Sequence, residues 1–435
     1  MAHFAVLALD EMGHLLPIGC LGAELRRRGH AVTLIGLEQS AGIARQLGLD
    51  FRALPPEAAD WMGPLPLGLW ILSRKLGIPH VAGRSFRLPV RAGMQPKYAP
   101  TILRELAADA LLVDQHVFGG STVAEHLGLP YVTVCCAMHW VGEPGVPPHS
   151  TGWRYARGRW ARWRNRVGYG MWNWYTRPTL RMLAGYRQAW RLPPLLRVDQ
   201  TFSPFAVVCQ TCSEFDYPRT CLPDTFHYVG ALGVDRPCAA AAFPWDRLDG
   251  RPLIYASLGT VRSNRRPVLF RCIAEACSDL AAQLVISTGK WERRDGDGES
   301  EPLVLPGDPL VLSFVPQPAL LEKAHLLITH AGQNTVVEAL THGVPMVAIP
   351  HGCDQPAMAA RVQRAGVGLR ASSRRPLAQE LRQLVGRVLG EESFRQRAGE
   401  LRAAMLATGG VRRAADIAEQ VYETQRPVLR GKTSD

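Results

Sequence analysis

Residues 314–355 read FVPQPALLEKAHLLITHAGQNTVVEALTHGVPMVAIPHGCDQ, and their order decides the fold. The apolar run HLLIT (325–329) ends at His330. A small-residue loop with Gly332 follows, and a helix opens on Asn334-Thr335. The next apolar run, PMVAI (345–349), leads into a loop closed by Asp354-Gln355. Strand, helix and strand with short joins form the unit of a parallel sheet, and ligands of such sheets bind beyond the carboxyl ends of the strands. The open N–H groups and positive dipole end of the helix suit an anion such as phosphate. Glu338, one turn after Asn334, can accept two hydrogen bonds from a vicinal diol such as ribose. Asp354 and Gln355 suit sugar hydroxyls, Phe314 offers a flat face for a base, and Thr260 in SLGT (257–260) adds a hydroxyl. Singly, these residues read equally well as an N-cap, a solvated carboxylate or core. Together, polar groups after consecutive strand ends describe a site for a charged, hydroxyl-rich ligand.

Outward from this stretch the alternation continues. Strands are expected at HFAVLAL (3–9), HAVTLIG (30–36), ALLVD (110–114), YVTVCC (131–136), FAVVCQT (205–211) and FHYVGAL (226–232). A second series follows at LIYASLGT (253–260), QLVIST (283–288) and VLSFV (311–315). Near-continuous apolar strands separated by helices imply sheets covered on both faces. At 435 residues two domains are the default. Residues 1–235 are assigned to an N-terminal domain. The Pro/Gly/Ala-rich 236–252 reads as a linker and 253–408 as a C-terminal domain. Residues 409–435 form a last helix and tail expected to cross back to the N-terminal domain.

The net charge of +12 is concentrated. Pro144 to Val198 holds eleven arginines and no Asp or Glu, and seven of the eleven tryptophans lie between 140 and 200. No nucleic-acid module accompanies the arginines, so no nucleic-acid partner is expected. No apolar run is long enough to span a bilayer, and the N-terminus meets Asp10 and Glu11 at once, which speaks against a signal peptide. A cytoplasmic protein is expected, with a peripheral place at the inner membrane face. Cys209 and Cys212 form a CxxC, but no second CxxC or His pair completes a zinc site; free buried thiols are the reading.

The first strand ends in DEMGHLLP (10–17), which places His14 in a loop beside Gly13, and strand 110–114 ends in Asp114. An Asp behind a His fixes its tautomer and stabilises the imidazolium, so the His can take a proton from a hydroxyl. Alone, each residue could instead cap a helix or end a strand.

The segment resembles the signature of the UDP-dependent glycosyltransferases, family 1, of the two-domain GT-B type. The matching residues are Pro316-Gln317, His330, Gly332, Asn334-Thr335, Glu338, Gly343-Pro345 and Asp354-Gln355. The resemblance implies two Rossmann-like domains facing a cleft, 1–235 binding the acceptor and 253–408 the nucleotide-sugar, and inverting transfer of a hexose from a UDP-sugar. By the same resemblance Phe314 and Val315 hold uracil, and Glu338 the ribose. His330, Asn334, Thr335 and Thr260 hold the diphosphate, while Asp354 and Gln355 hold the sugar. Gln317 and Gly13 belong to the donor site. Members of the family keep the base in a GHxxP loop, which gives His14 that role with Asp114 behind it. Phe314 stands where plant members usually carry Trp. No cofactor is implied, since the UDP-sugar is a co-substrate, and UDP-glucose suits the Asp-Gln ending. No metal is expected: Asp295-Gly-Asp297 matches a DxD but reads as a solvated loop.

FDYPRTCLPDTFHYVGAL (215–232) resembles the corresponding stretch of bacterial zeaxanthin glucosyltransferases and their macrolide-glycosylating relatives. A lipophilic acceptor such as a hydroxylated carotenoid is therefore the first expectation, and a polyketide, macrolide or phenol the second. A GT-B-fold sugar-nucleotide epimerase or a catalytically silent partner protein stands further off. Trp140, Trp153 and Trp61 are the acceptor candidates, with Trp70 a lesser one. The Trp/Arg segment 140–190 either meets a membrane surface or folds with its tryptophans inside.

Overall fold

The computed structural model describes residues 1–60, 87–233, 243–259, 267–289 and 304–431. Thr260, Trp61, Trp70, Asp295, Asp297 and part of the expected linker (236–242) lie outside them.

The first sheet is parallel, with strands β1 (His3–Leu7), β2 (Ala31–Gly36), β3 (Asp50–Ala53), β4 (Ala110–Asp114), β5 (Tyr131–Cys135), β6 (Ala206–Cys209) and β7 (Phe226–Tyr228). Their spatial order is β3-β2-β1-β4-β5-β6-β7. The second sheet holds β8 (Leu253–Ser257), β9 (Gln283–Ser287), β10 (Leu310–Leu312), β11 (Ala324–Thr329), β12 (Met346–Ala348) and β13 (Gly368–Arg370), in the order β10-β9-β8-β11-β12-β13. Its pairings are parallel as well. Every residue of β4, β5 and β8 is buried, which explains why ALLVD, YVTVC and LIYAS show no polar alternation.

In each sheet the order reverses at one place. Leu7 of β1 lies opposite Val113 of β4, and Ser257 of β8 lies opposite Thr329 of β11. The loops leaving these neighbours run to opposite sides of their sheet and open a crevice between them. His14 and Asp114 follow β1 and end β4; Gly259 and His330 follow β8 and β11. The topology alone therefore brings the two sequence motifs to the two switch points.

The helices include α1 (Met12–Arg27), α2 (Arg87–Glu105), α3 (Gly120–Leu127), α4 (Arg159–Ala189), α5 (Pro267–Cys277), α6 (Gln333–His342), α7 (Gln355–Arg364), α8 (Ala378–Gly390), α9 (Glu392–Ala407) and α10 (Gly410–Thr424). Leu15, Ile18, Leu21 and Leu25 of α1 recur at helical spacing and pack under the first sheet. Ala414, Ile417, Ala418 and Val421 of α10 enter that same core, although α10 follows the second sheet in the chain. Arg28 clasps α10 through Asp416 (2.8 Å) and Glu419 (2.6 Å).

Three readings are corrected. His14 lies in the first turn of α1, not in a loop, because the helix opens at Met12 directly after Asp10-Glu11. Phe314 lies beyond β10, which stops at Leu312. The Trp/Arg segment is both inside and outside: Trp140 is buried, whereas Trp160, Trp163 and Trp174 on α4 are exposed. Cys135, Cys136, Cys209 and Cys212 are free and buried. Among the described residues no helix is long and apolar enough to cross a membrane.

Candidate active site between the two sheets

Asp114 ends β4 with no exposed side-chain surface and meets three groups there. Its Oδ2 takes the His14 Nδ1 at 2.8 Å and the Leu9 N–H at 3.2 Å, and its Oδ1 accepts the His116 N–H at 3.0 Å. Burial would favour the neutral acid, yet the charges and hydrogen bonds of His14 and His116 hold the carboxyl well below its usual range. Burial likewise opposes protonation of His14. The charge and hydrogen bond of Asp114 outweigh it, Glu11 and Asp354 add smaller contributions, and the imidazole pKa is raised. With Nδ1 committed to Asp114, Nε2 is the nitrogen left to face a substrate. Cys136 Sγ comes within 4.8 Å of the ligand atoms of this pair. Burial first, and Asp114 next, push its pKa well up, so it stands there as a neutral thiol.

Across the cleft, α6 starts after Gly332, whose backbone is extended and supplies no side-chain cap, so the first N–H groups of the helix stay open. The preceding Ala331 sits at φ 63, a left-handed conformation costly for a residue with a Cβ, and it is fully buried. The His330 ring fills the space between two glycines. A Cβ on Gly259 (φ +76) would lie 2.7 Å from the ring, and one on Gly332 would overlap it. Asn334 then crosses to the other half. Its amide donates to the Gly13 carbonyl, and its Oδ1 accepts from Gln210 Nε2 at 2.6 Å. Asn334 thus touches the residue next to His14 while standing in the first turn of α6.

The other residues of the signature gather around this axis. Gln317 accepts the Tyr255 hydroxyl at 2.9 Å and donates to Glu338 Oε2 at 2.6 Å, which fixes the carboxylate at the end of a relay. Asp354 Oδ2 accepts the Met138 N–H at 3.1 Å from the opposite half. Gln355 Oε1 accepts the N–H groups of His351 (2.9 Å) and Gly352 (3.1 Å) and shapes the loop after β12. Thr335 is mostly buried in the first turn of α6, Val315 is half-buried, and Phe314 is 49% exposed, a free ring face at the rim.

Trp140 joins His14 through a chain of rings. His116 stands edge-on to both His14 and Trp140, at 4.8 Å between centroids in each case. Trp140 stacks on Phe118 and Phe202 and neighbours Trp172 of α4 and His149. The buried Trp140 Nε1, Trp172 Nε1 and His149 Nδ1 have no hydrogen-bond partner among the described residues. Burial, ahead of neighbouring charges, lowers His149 to about 3, so it is neutral. Trp153 stands elsewhere, with Arg164 of α4 over its ring at 4.9 Å and Gly168 against its edge.

Sequence reading missed His116, Gln210 and the ion cluster at Asp216. The two-residue step from Asp114 to His116, and the place of Gln210 just after β6, were the available signals. Asp216 had none, because its partner Arg361 lies 145 residues away.

Comparison with known proteins gives the family and the fold. Residues 196–404 match the family profile of UDP-glucoronosyl and UDP-glucosyl transferase. Zeaxanthin glucosyltransferase of Pantoea ananas is 32% identical over 99% of this chain and 98% of its own. The zeaxanthin glucosyltransferase of Pseudescherichia vulneris is 33% identical over 97% and 98%. The crystal structure of the glycotransferase of kitacinnamycin superposes with a TM-score of 0.74 at 22% identity, covering 98% of this chain and 99% of the other, which supports the GT-B fold. With its two parallel Rossmann-like sheets and relatives matched end to end, the chain belongs to the UDP-glycosyltransferase family and is a glycosyltransferase.

Proposed function

We propose that the enzyme transfers a hexose, glucose in the first instance, from a UDP-sugar to a hydroxyl of a lipophilic acceptor such as a hydroxylated carotenoid, with inversion. The observation that carries this reading is the His14–Asp114 pair meeting the start of α6 through Gly13 and Asn334. His14 Nε2 takes the proton of the acceptor hydroxyl, and Asp114 stabilises the imidazolium. The acceptor oxygen bonds to the anomeric carbon as the bond from that carbon to the β-phosphate oxygen breaks. UDP leaves with its new charge facing the open N–H groups of α6, with His330, Asn334 and Thr335 as further donors. Those donors supply positive potential from the chain itself, so the reaction proceeds without a metal. Glu338, held by Gln317, receives the ribose diol, and Phe314 with Val315 the uracil. Asp354, close enough to bear on His14, receives sugar hydroxyls with Gln355. The aromatic group around Trp140 would take the apolar body of the acceptor, where the unpaired indole N–H groups offer donors. The carotenoid preference is supported by the zeaxanthin glucosyltransferase relatives.

The test is UDP release from UDP-glucose over zeaxanthin in micelles, sterols, macrolides and flavonols, with EDTA present. His14→Ala should lower kcat/KM by about 10²–10⁴-fold, the usual worth of a general base. Turnover that survives in the variant, or disappears with EDTA, overturns the mechanism. The acceptor that turns over best decides between carotenoid and polyketide or phenol.

A further inference from the structure

Helix α4 runs for 31 residues, and two of its faces have different fates. Inward, Leu180 and Leu183 are buried, and Trp172 packs near Trp140 and against His149. Outward, Trp160 is 81% exposed, Trp163 60%, Val167 43%, Met171 64% and Trp174 66%. Their spacing of three, four, four and three residues places all five on one stripe of the helix, about 21 Å long at 1.5 Å per residue. Single exposed apolar residues are ordinary, but a continuous stripe rich in tryptophan marks an interaction surface. Arg159, Arg162 and Arg166 each precede a stripe residue by one position, so they form the adjoining row, and all three are exposed. No acidic residue occurs from 144 to 198.

We infer that this outer face of α4 docks on an anionic lipid bilayer, tryptophans and Met171 entering the headgroup boundary and the arginine row lying on lipid phosphates. The charge selects this occupant. A second copy of the chain in a symmetric contact would set arginine rows against each other with no carboxylate to receive them. A nucleic acid would satisfy the arginines but leave Val167 and Met171 without apolar cover. The same helix presents Trp172 to the ring chain that ends at His14, so docking would bring a membrane-dissolved acceptor to the side of the base. That consequence rests on the lipophilic-acceptor reading above; the docking surface itself does not.

The experiment is co-sedimentation of the full chain with vesicles of phosphatidylcholine alone and of phosphatidylcholine mixed with phosphatidylglycerol, at low and high salt. The mixed vesicles should bind about tenfold more tightly or better, and less so at high salt. Trp160→Glu/Trp163→Glu/Trp174→Glu and Arg159→Gln/Arg162→Gln/Arg166→Gln should each lose about tenfold or more. Both variants should keep their thermal melt and their turnover on a water-soluble phenol. Equal binding to both vesicles, or binding unchanged in the variants, overturns the inference. So does a wild-type dimer in sedimentation that the tryptophan variant loses, or salt-sensitive DNA or RNA binding tighter than vesicle binding. Vesicle binding without turnover of any lipophilic acceptor overturns the acceptor reading and leaves the docking surface in place.

Discussion

Asp114 is a single carboxylate asked to orient His14 and to hold its charge, and the two duties separate under substitution. In the proposed mechanism His14 works as neutral imidazole, and its pKa is raised above the usual value near 6.5. On the proposed mechanism kcat/KM therefore climbs with pH through a point above that value. Folding stability runs the other way. A raised folded pKa contributes stability that is complete below the unfolded pKa and fades as pH rises through the folded one. Asp114→Asn keeps the shape but removes the charge that outweighs burial. The acid limb of the kcat/KM profile should move to lower pH, and its plateau should fall by about 10²–10⁴-fold as tautomer control is lost. A lowered plateau with an unmoved limb would mean that His14 is not the group being titrated. Both residues were legible in the sequence, because each follows an apolar run and the sheet order brings their ends together. The position of His14 within α1 was not: Met12-Gly13 carries no cap residue to announce a helix start.

Among the elements, α7 joins one half of the molecule to the other through a buried ion cluster. Its Arg361 is 1% exposed and reaches Asp216, which belongs to the loop after β6, at 2.8 Å. Arg219 Nε (3.0 Å), His139 Nε2 (3.2 Å) and the Tyr228 hydroxyl (2.8 Å) share the other Asp216 oxygen. The Arg361 guanidinium also lies 4.2 Å over the Tyr217 ring. Burial would raise the Asp216 pKa, but Arg219, Arg361 and His139 hold it well below the ordinary range. Its contribution is thus present above the unfolded carboxylate pKa and lost only in strong acid. Burial pushes His139 down to about 4, so at neutral pH it donates to Asp216 as an uncharged ring. Replacing Asp216 with Ala would leave two buried guanidinium groups facing each other, and a broken buried pair costs about 3–5 kcal/mol. The expected result is an unfolding free energy, extrapolated from urea denaturation at neutral pH, lowered by that amount with a matching fall in the midpoint, and a difference from wild type that shrinks in strong acid. An unchanged midpoint would mean that water reaches the arginines.

For the molecule as a whole, the sheets were legible and their closure was not. Strands such as ALLVD and LIYAS announce themselves because both faces are buried, whereas β3 and β13 are short edge strands whose sequences, DFRA and GLR, carry no such mark. Contacts between the halves escaped for a related reason. Asn334 to Gly13, Asp354 to Met138 and Arg361 to Asp216 each join residues more than a hundred positions apart, and spacing encodes none of them. The C-terminal helix α10 shows what such long-range packing supports. Ile417, Val421 and, beyond the helix, Val428 are at most 3% exposed in the core of the first sheet. Burial of each aliphatic side chain contributes about 1.5–3 kcal/mol, and a whole domain is stable by only about 5–15 kcal/mol. Ending the chain after Thr408 also removes the partners of Arg28 and His30, Asp416 and Glu419, and the Val428 carbonyl that meets His227 at 2.9 Å. The truncated protein should therefore lose the half that carries His14 first: low soluble yield, an early melting transition and no turnover. Residual UDP affinity should survive if the second sheet, whose own core uses none of these side chains, stays folded. A truncated chain with the wild-type melt and activity would show that the first sheet is sealed without α10.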